Sequence, residues 1–257
     1  MYKTVKKTQS RSTSELYDKC TYAEWLDIVD IPYYHEIIRA ALELYIKHEL
    51  DTQRAGLIKY VGDSILPNAK INAYQQSEIL QMFNINDIEV KEFCNSVITV
   101  FTKSDLKRNT LRMWGVSNSC KSLIANALCL PFICCYMNNH CSENEFYMSA
   151  MLNKSVILCE ELYITVATAE DFKSVLCGQP INVAKKYNEK QLLSRTPVVI
   201  TSNHQRMGRG HLPAVDEMAL QNRCFNYYFS TSYKPKCYIN SENMWYFIVL
   251  HADGADV

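Results

Sequence analysis

The chain carries no net charge: 27 basic residues balance 27 acidic ones over 257 positions. Global electrostatics therefore do not advertise a nucleic-acid partner, and any such contact must come from a local cluster. Two clusters are present, one from Lys103 to Arg112 and one made of Lys185, Lys186 and Lys190. A solvated face explains the first as well as a ligand does. The 11 cysteines show no C-x-x-C spacing and follow no apolar leader, so reduced thiols are expected, not a disulfide scaffold. Cys134 and Cys135, with His140 and Cys141, come nearest to a zinc set. They lack the spacing for it, and the first two belong to an apolar strand pattern, so no metal is expected there. Long apolar runs are also missing. Leu123 to Met137 is short for a bilayer and is interrupted by Asn126 and Pro131, so it reads as a helix, a turn at Pro131 and a strand, with no membrane partner. No internal repeat or low-complexity tract is present.

What the chain does have is apolar content, 48% of residues. That is enough to bury a substantial core in one large domain or two small ones. Met1 to Ser14 is rich in Lys, Ser and Thr, and residues 1–20 are expected to be a disordered lead-in. From 21 to 104 the periodicity is helical. Ile37, Ile38, Ala41, Leu44 and Tyr45 form one stripe, Ile79, Leu80, Phe83 and Ile88 begin another, and Phe93, Val97, Val100 and Phe101 give a third. Asp63 to Asn72 reads as a loop. From 105 to 257 strands and helices alternate, which implies a mostly parallel sheet with covering helices. Met207 to Val215 reads as a flexible loop. Beyond Ser230 the pattern weakens, with Trp245 to Leu250 apolar enough to be buried and the last residues expected to fray.

The chemistry is concentrated in four places. The run Gly115, Val116, Ser117, Asn118, Ser119, Cys120, Lys121 and Ser122 follows a short strand, Leu111 to Trp114, and precedes a helix opening at Lys121. That order suits a triphosphate-binding loop. Backbone N–H groups of Ser119 to Ser122 would meet the β-phosphate, Lys121 would reach the β- and γ-oxygens, and Ser122 would ligate Mg²⁺. The usual pattern has glycine where this chain has Cys120. Downstream, Ser155 to Glu161 is a buried-strand run ending in two carboxylates, Glu160 and Glu161, at the strand end where open α/β sheets place ligands. One could hold the metal shell and the other polarise a water. The strand from Thr196 ends at Asn203, an amide able to touch the γ-phosphate, and Arg223 stands just before an aromatic run. Each alone has an ordinary explanation: a capped loop, a solvated strand end, a turn residue, a surface charge. Their functional order is what stands out.

This ordered set resembles the superfamily 3 helicase domain of parvovirus large nonstructural replication initiators, over about Tyr22 to Phe229. The carriers are Asn109-Thr110 leading to Gly115, the Glu160-Glu161 pair, the segment Val175 to Pro197, the strand Thr196-Pro-Val-Val-Ile-Thr-Ser-Asn203, and Leu220-Gln-Asn-Arg223. The resemblance implies an AAA+-type P-loop ATPase core preceded by a small helical oligomerisation subdomain. It implies ATP and Mg²⁺ as cofactors, with Lys121, Glu160, Glu161, Asn203 and Arg223 as the catalytic set and Ser122 and Glu160 on the metal. Arg223 would act in trans on a neighbouring subunit of a homo-oligomeric, hexameric ring. Lys185, Lys186 and Tyr187, on a β-hairpin, would contact single-stranded DNA in its channel, with 3′ to 5′ movement in the host nucleus. A catalytically inactive DNA-binding ring and a packaging ATPase are the competing functions.

Departures from the family pattern qualify this. Val116 replaces a usual proline and should loosen the loop. Cys120 would crowd the phosphates unless the backbone there is one that a non-glycine residue tolerates. Such changes are similar to the more divergent loops of invertebrate-infecting parvoviruses, the densoviruses. The family's nicking domain carries a His-x-His pair, which this chain lacks, so a helicase fragment, a separate product or a truncated relative is expected, without nicking activity.

Overall fold

The computed structural model describes residues 1–138, 146–186 and 188–254. They divide into two compact units, 1–55 and 56–257. The first unit is helical: α1 (Tyr2–Thr8), α2 (Thr13–Lys19), α3 (Tyr22–Val29) and α4 (Tyr34–Ala55). Ser12 caps α2 by accepting from the Glu15 amide, and Thr21 and Glu24 form a reciprocal capping box on α3. The core of this unit gathers Val5, Leu16, Ile28, Ile38, Ala41, Leu42 and Tyr45. Residues 1–20 are thus two short helices where a disordered lead-in was expected. Each buries a single apolar residue, Val5 or Leu16, and one anchor in a polar stretch leaves no periodic signal. On α4 the buried stripe is rotated from the expected one: Leu42 is inside, whereas Leu44 is 57% exposed.

The second unit opens with α5 (Leu57–Tyr60) and two short non-α turns over 61–68, where a plain loop was expected, then α6 (Ala73–Asn84) and α7 (Val90–Thr102). Its sheet is built from β1 (Thr110–Gly115), β2 (Cys134–Asn138), β3 (Val156–Glu160), β6 (Val198–Ser202) and β7 (Cys224–Phe229), in the order β2-β3-β6-β1-β7. All neighbours are parallel. Helices α8 (Lys121–Cys129), α9 (Ala169–Cys177), α10 (Ala214–Gln221) and α11 (Ser241–His251) cover it. An antiparallel hairpin, β4 (Ile181–Lys185) with β5 (Asn188–Leu193), stands apart from the sheet hydrogen bonding. The expected α/β class and the mostly parallel sheet are present.

Strands buried on both faces send alternate residues to opposite cores. Leu111, Met113, Val156, Leu158, Val199, Tyr227 and Phe229 pack with α7, α8 and α11. Ile157, Cys159, Val198, Ile200 and Cys224 pack with α9 and the hairpin base, Val183 and Leu193. The first core also takes in Phe83, Phe93, Val97 and Phe101 from α6 and α7. The helical segment 56–102 therefore shares a core with the sheet, and the expected boundary at 104 is not where the compact units divide. The C-terminal helix, weakly patterned in sequence, is a central pillar. Trp245 is fully buried, its indole N–H donates to the Leu128 carbonyl at 3.1 Å, and Phe101 and Phe132 meet its ring edge-on. Replacing it with alanine empties the junction of α7, α8 and α11. Trp245→Ala is expected to lower stability by about 3–5 kcal/mol, read as a reduced urea midpoint at unchanged m-value.

Candidate functional site

The loop between β1 and α8 owes its shape to three unusual backbone positions. Gly115 has φ +141°, and a Cβ there would sit 2.0 Å from the Phe229 carbonyl oxygen, so only glycine fits. Asn118 (φ 59°) and Cys120 (φ 69°) are left-handed. Asparagine tolerates that region, whereas cysteine does so at a cost. The Cys120 side chain is buried, with its Sγ 3.1 Å from the Tyr233 carbonyl. Burial pushes its thiol up to about 11, so it stays protonated at neutral pH. Val116, expected to loosen the loop, ties it instead: its N–H, which proline would lack, donates to Phe229 O at 3.0 Å.

Lys121 opens α8 with its side chain almost entirely buried. Its ammonium donates to the carbonyls of Gly115 and Val116, to Ser119 Oγ at 3.0 Å and to Asn203 Oδ1 at 3.2 Å. Burial lowers its pKa, with the Glu161 charge opposing. Glu161 (φ 52°) turns off the end of β3, and both its carboxylate oxygens accept from the Asn203 amide, at 3.1 and 3.3 Å. A cavity of about 390 Å³ lies over this group, lined by Ser117, Asn118, Ser119, Cys120, Lys121, Ser122, Leu123, Glu161, Thr201 and Asn203. The loop residues, Lys121, Ser122, Glu161 and Asn203, expected together from sequence, are together in space. Leu123 and Thr201 were not anticipated, and both simply adjoin expected residues.

Glu160 does not line this cavity. Alternation along β3 puts it on the face of Val156 and Leu158, which α8 covers. Arg223 is also outside the cavity. It follows α10 on the turn into β7, half-buried, with one guanidinium nitrogen donating to the Ala219 carbonyl and Nε without a partner. Lys185 and Lys186 are exposed at the hairpin tip. Tyr187 lies outside the described residues, as do His140 and Cys141 of the zinc set considered from sequence. Among the described residues no three His, Cys, Asp or Glu side chains converge on a metal position. Magnesium in a nucleotide site needs only one or two protein oxygens beside the phosphates, and Ser122 with a β3 carboxylate suits that requirement. Arg112, read as part of an exposed basic cluster, is instead 1% exposed, on the α9 side of the sheet, held by Asn226 and two carbonyls. Arg108 of the same cluster bonds Asp105 and covers the Phe225 ring. The loop from Met207 to Val215, expected to be flexible, is pinned: the buried Glu217 carboxylate accepts from the amides of Met207 and Gly208.

A segment after β7 brackets the phosphate-type loop from outside, unforeseen in the sequence. Tyr233 N–H donates to Asn118 O at 2.8 Å while its carbonyl receives Cys120 Sγ. Tyr233 Oη in turn donates to Glu78 Oε2 at 2.8 Å, and the Lys236 amide donates to the same oxygen at 2.9 Å. These two hydrogen bonds, the backbone one larger, hold the Glu78 carboxyl below its ordinary pKa.

Comparison with known proteins agrees with the fold. The family described as parvovirus non-structural protein NS1 matches residues 31–232. Initiator protein NS1 of porcine parvovirus (strain Kresse) is 28% identical over 149 residues, 57% of this chain and 22% of that protein. Protein Rep52 of adeno-associated virus 2 is 28% identical over the same length, 57% of this chain and 37% of that protein. The chain thus spans well under half the length of these relatives. Among solved structures, JCV helicase with a bound small molecule superposes with a TM-score of 0.61 at 13% identity, covering 97% of this chain and 85% of that one. A second JCV helicase structure gives 0.53 at 13% identity, covering 92% and 73%. At such identity the likeness is one of fold.

Two outcomes follow from the loop and its bracket. Cys120→Gly relieves a left-handed cost of about 1 kcal/mol but gives up a contact and gains unfolded-state entropy of about the same size, so its denaturant midpoint should stay near wild type. Cys120→Val places a β-branched residue at that φ and should lose about 2 kcal/mol or more; equal stability of all three would mean the loop is not left-handed at 120. Glu78 has a lowered folded pKa, so its contribution is complete above its ordinary value of 4.5 and fades as pH falls through the folded value. Glu78→Gln should accordingly be less stable than wild type near pH 7, with the two melting curves converging in acid.

Proposed function

As the chain belongs to the parvovirus non-structural protein NS1 family, we propose that it is an ATP-hydrolysing motor of viral DNA replication, working as a ring on single-stranded DNA in the host nucleus. The observation that carries this reading is the meeting of Lys121 Nζ with Asn203 Oδ1 and of Glu161 with the Asn203 amide under one cavity. Three elements distant in sequence there present a cation, an amide and a carboxylate, the groups that phosphoryl transfer requires. Lys121, released from the carbonyls it now holds, binds the β- and γ-phosphate oxygens. Amides at the start of α8 take the β-phosphate at the positive end of the helix. Ser122, in the cavity lining, and Glu160, at the adjoining end of β3, would hold Mg²⁺, which when bound would supply charge neutralisation on the phosphates. Glu161 polarises the attacking water, and Asn203, bonded to both Lys121 and Glu161, registers the γ-phosphate. Arg223, outside its own cavity, serves the cavity of a neighbouring subunit, where it stabilises charge on the transferring group.

Lys185 and Lys186 at the hairpin tip grip the DNA backbone without reading bases, with Tyr187 beside them as a stacking surface. The test is ATP hydrolysis across protein concentration, with and without single-stranded DNA. Activity should rise with both. Lys121→Ala should abolish it, and Arg223→Ala should lower it by about 10³-fold or more. Mixing these two inactive variants should restore part of the rate, since one keeps the cavity and the other the arginine. A rate indistinguishable from Lys121→Ala at every concentration would overturn the reading in favour of an inactive DNA-binding ring. Strand displacement on a forked duplex separates an unwinding motor from a packaging one.

A further inference from the structure

Among the described residues of the second unit Arg112 is the most buried charge, and the nucleotide reading gives it no task. It sits mid-strand on β1, between Ile200 of β6 and Asn226 of β7 in register. Its guanidinium reaches both neighbours' ends. One nitrogen donates to the carbonyls of His204, at 3.0 Å, and Gln205, at 2.6 Å. The other donates to Asn226 Oδ1 at 3.1 Å. The planar fork of arginine makes this two-sided grip possible, and lysine could not reproduce it.

Both ends of the grip lie next to groups of the proposed site. His204 and Gln205 directly follow Asn203, whose side chain meets Lys121. On the far side, Asn226 Nδ2 donates to the carbonyls of Gln221 and Cys224, at 2.9 and 3.0 Å. Those two carbonyls flank Arg223. Arg112 and Asn226 thus bridge, by hydrogen bonds, the backbone that directly follows Asn203 at the cavity and the backbone turn that carries Arg223, the arginine that the same subunit offers its neighbour.

We infer that Arg112 and Asn226 are positioning residues that couple the occupancy of a subunit's own nucleotide cavity to the placement of the arginine it delivers in trans. The inference rests on the function proposed above. A shift of the Asn203 loop on nucleotide binding pulls the His204 and Gln205 carbonyls that accept from Arg112. The guanidinium is rigid and packed, so the shift is passed to Asn226 and to the turn bearing Arg223. Hydrolysis at one interface then depends on the state of the next.

Asn226 is exposed, so Asn226→Ala can be made without opening the core. The measurement is steady-state ATP hydrolysis against ATP concentration, with fluorescent-nucleotide binding and a thermal melt on each variant. Wild type should respond cooperatively to ATP. Asn226→Ala should remain folded, with a lower melting temperature because Arg112 loses an acceptor, and keep its nucleotide affinity within about twofold, but lose about tenfold in kcat and respond as independent sites do. Asn226→Asp keeps an acceptor for Arg112 and loses the donor to the turn, and it should match the alanine variant in kcat and cooperativity. Arg112→Lys should show the same split, and Asn226 alone decides if that variant does not fold. A folded Asn226→Ala with wild-type kcat and cooperativity would overturn the coupling, as would non-cooperative wild type. If Lys121→Ala and Arg223→Ala also leave the rate unchanged, it is the reading of the site that has failed, and the coupling with it.

Discussion

Strand β1 is hydrogen-bonded on both edges and ends at a glycine with no room for a side chain. This one constraint sets the positions of the groups around the cavity. Pairing with β6 aligns Trp114 with Ser202, so Asn203 emerges one residue beyond the sheet, beside the loop that leaves Gly115. Pairing with β7 aligns Gly115 with Phe229, and the Phe229 carbonyl then fixes both the glycine and the Val116 amide. Because β6 also pairs with β3, with Glu160 opposite Thr201, the Glu161 turn arrives on the other side of Asn203. Parallel register, in which a slip by one residue turns every side chain to the opposite face, does the aligning.

The loop itself is not self-supporting. A phosphate loop rich in glycine can take left-handed turns at no cost, but this chain has cysteine at one of them. The conformation is held from outside instead. The Phe229 carbonyl takes the Val116 amide, Tyr233 takes Asn118 and Cys120 on its two backbone groups, and Glu78 of α6 holds Tyr233. Each bond is modest singly, of about 1 kcal/mol, but they act on every second residue, 116, 118 and 120, and reinforce one geometry. At 120 these contacts hold a left-handed backbone that glycine would adopt without help.

Much of this was legible from the residues. The apolar runs before Gly115, Glu160 and Asn203 gave three central strands, because strands covered on both faces need such runs. Their polar ends gave Glu161 and Asn203 of the cavity lining, because a parallel sheet gathers its strand ends on one edge. Arg112 was misread because its neighbours Lys107 and Arg108 are basic and exposed; sequence proximity carries no information on which face of a buried strand a residue occupies. The role of Tyr233 was invisible, since it acts chiefly through backbone groups that every residue has. Helix α11 escaped periodicity because Met244, Trp245, Phe247 and Ile248 are buried together, and a helix enclosed on several sides shows no single stripe.

The helical segment before the sheet shows how far a motif boundary can stand from a physical one. Read by pattern, 104 separates helices from alternating strands. Read by packing, Phe93 lies against Tyr227 of β7, Phe101 against Trp245 of α11, and Ser96 bonds the Tyr227 hydroxyl at 2.7 Å. Glu78 from the same segment reaches the bracket on the loop between β1 and α8. Helices α6 and α7 are therefore part of what shapes the cavity, through a shared core on one side and a hydrogen-bonded strap on the other. A change in either helix is transmitted to Cys120 and Asn118 by the same bonds that compensate for their unfavourable backbone, which makes the loop between β1 and α8 a property of the whole second unit and not of its eight residues.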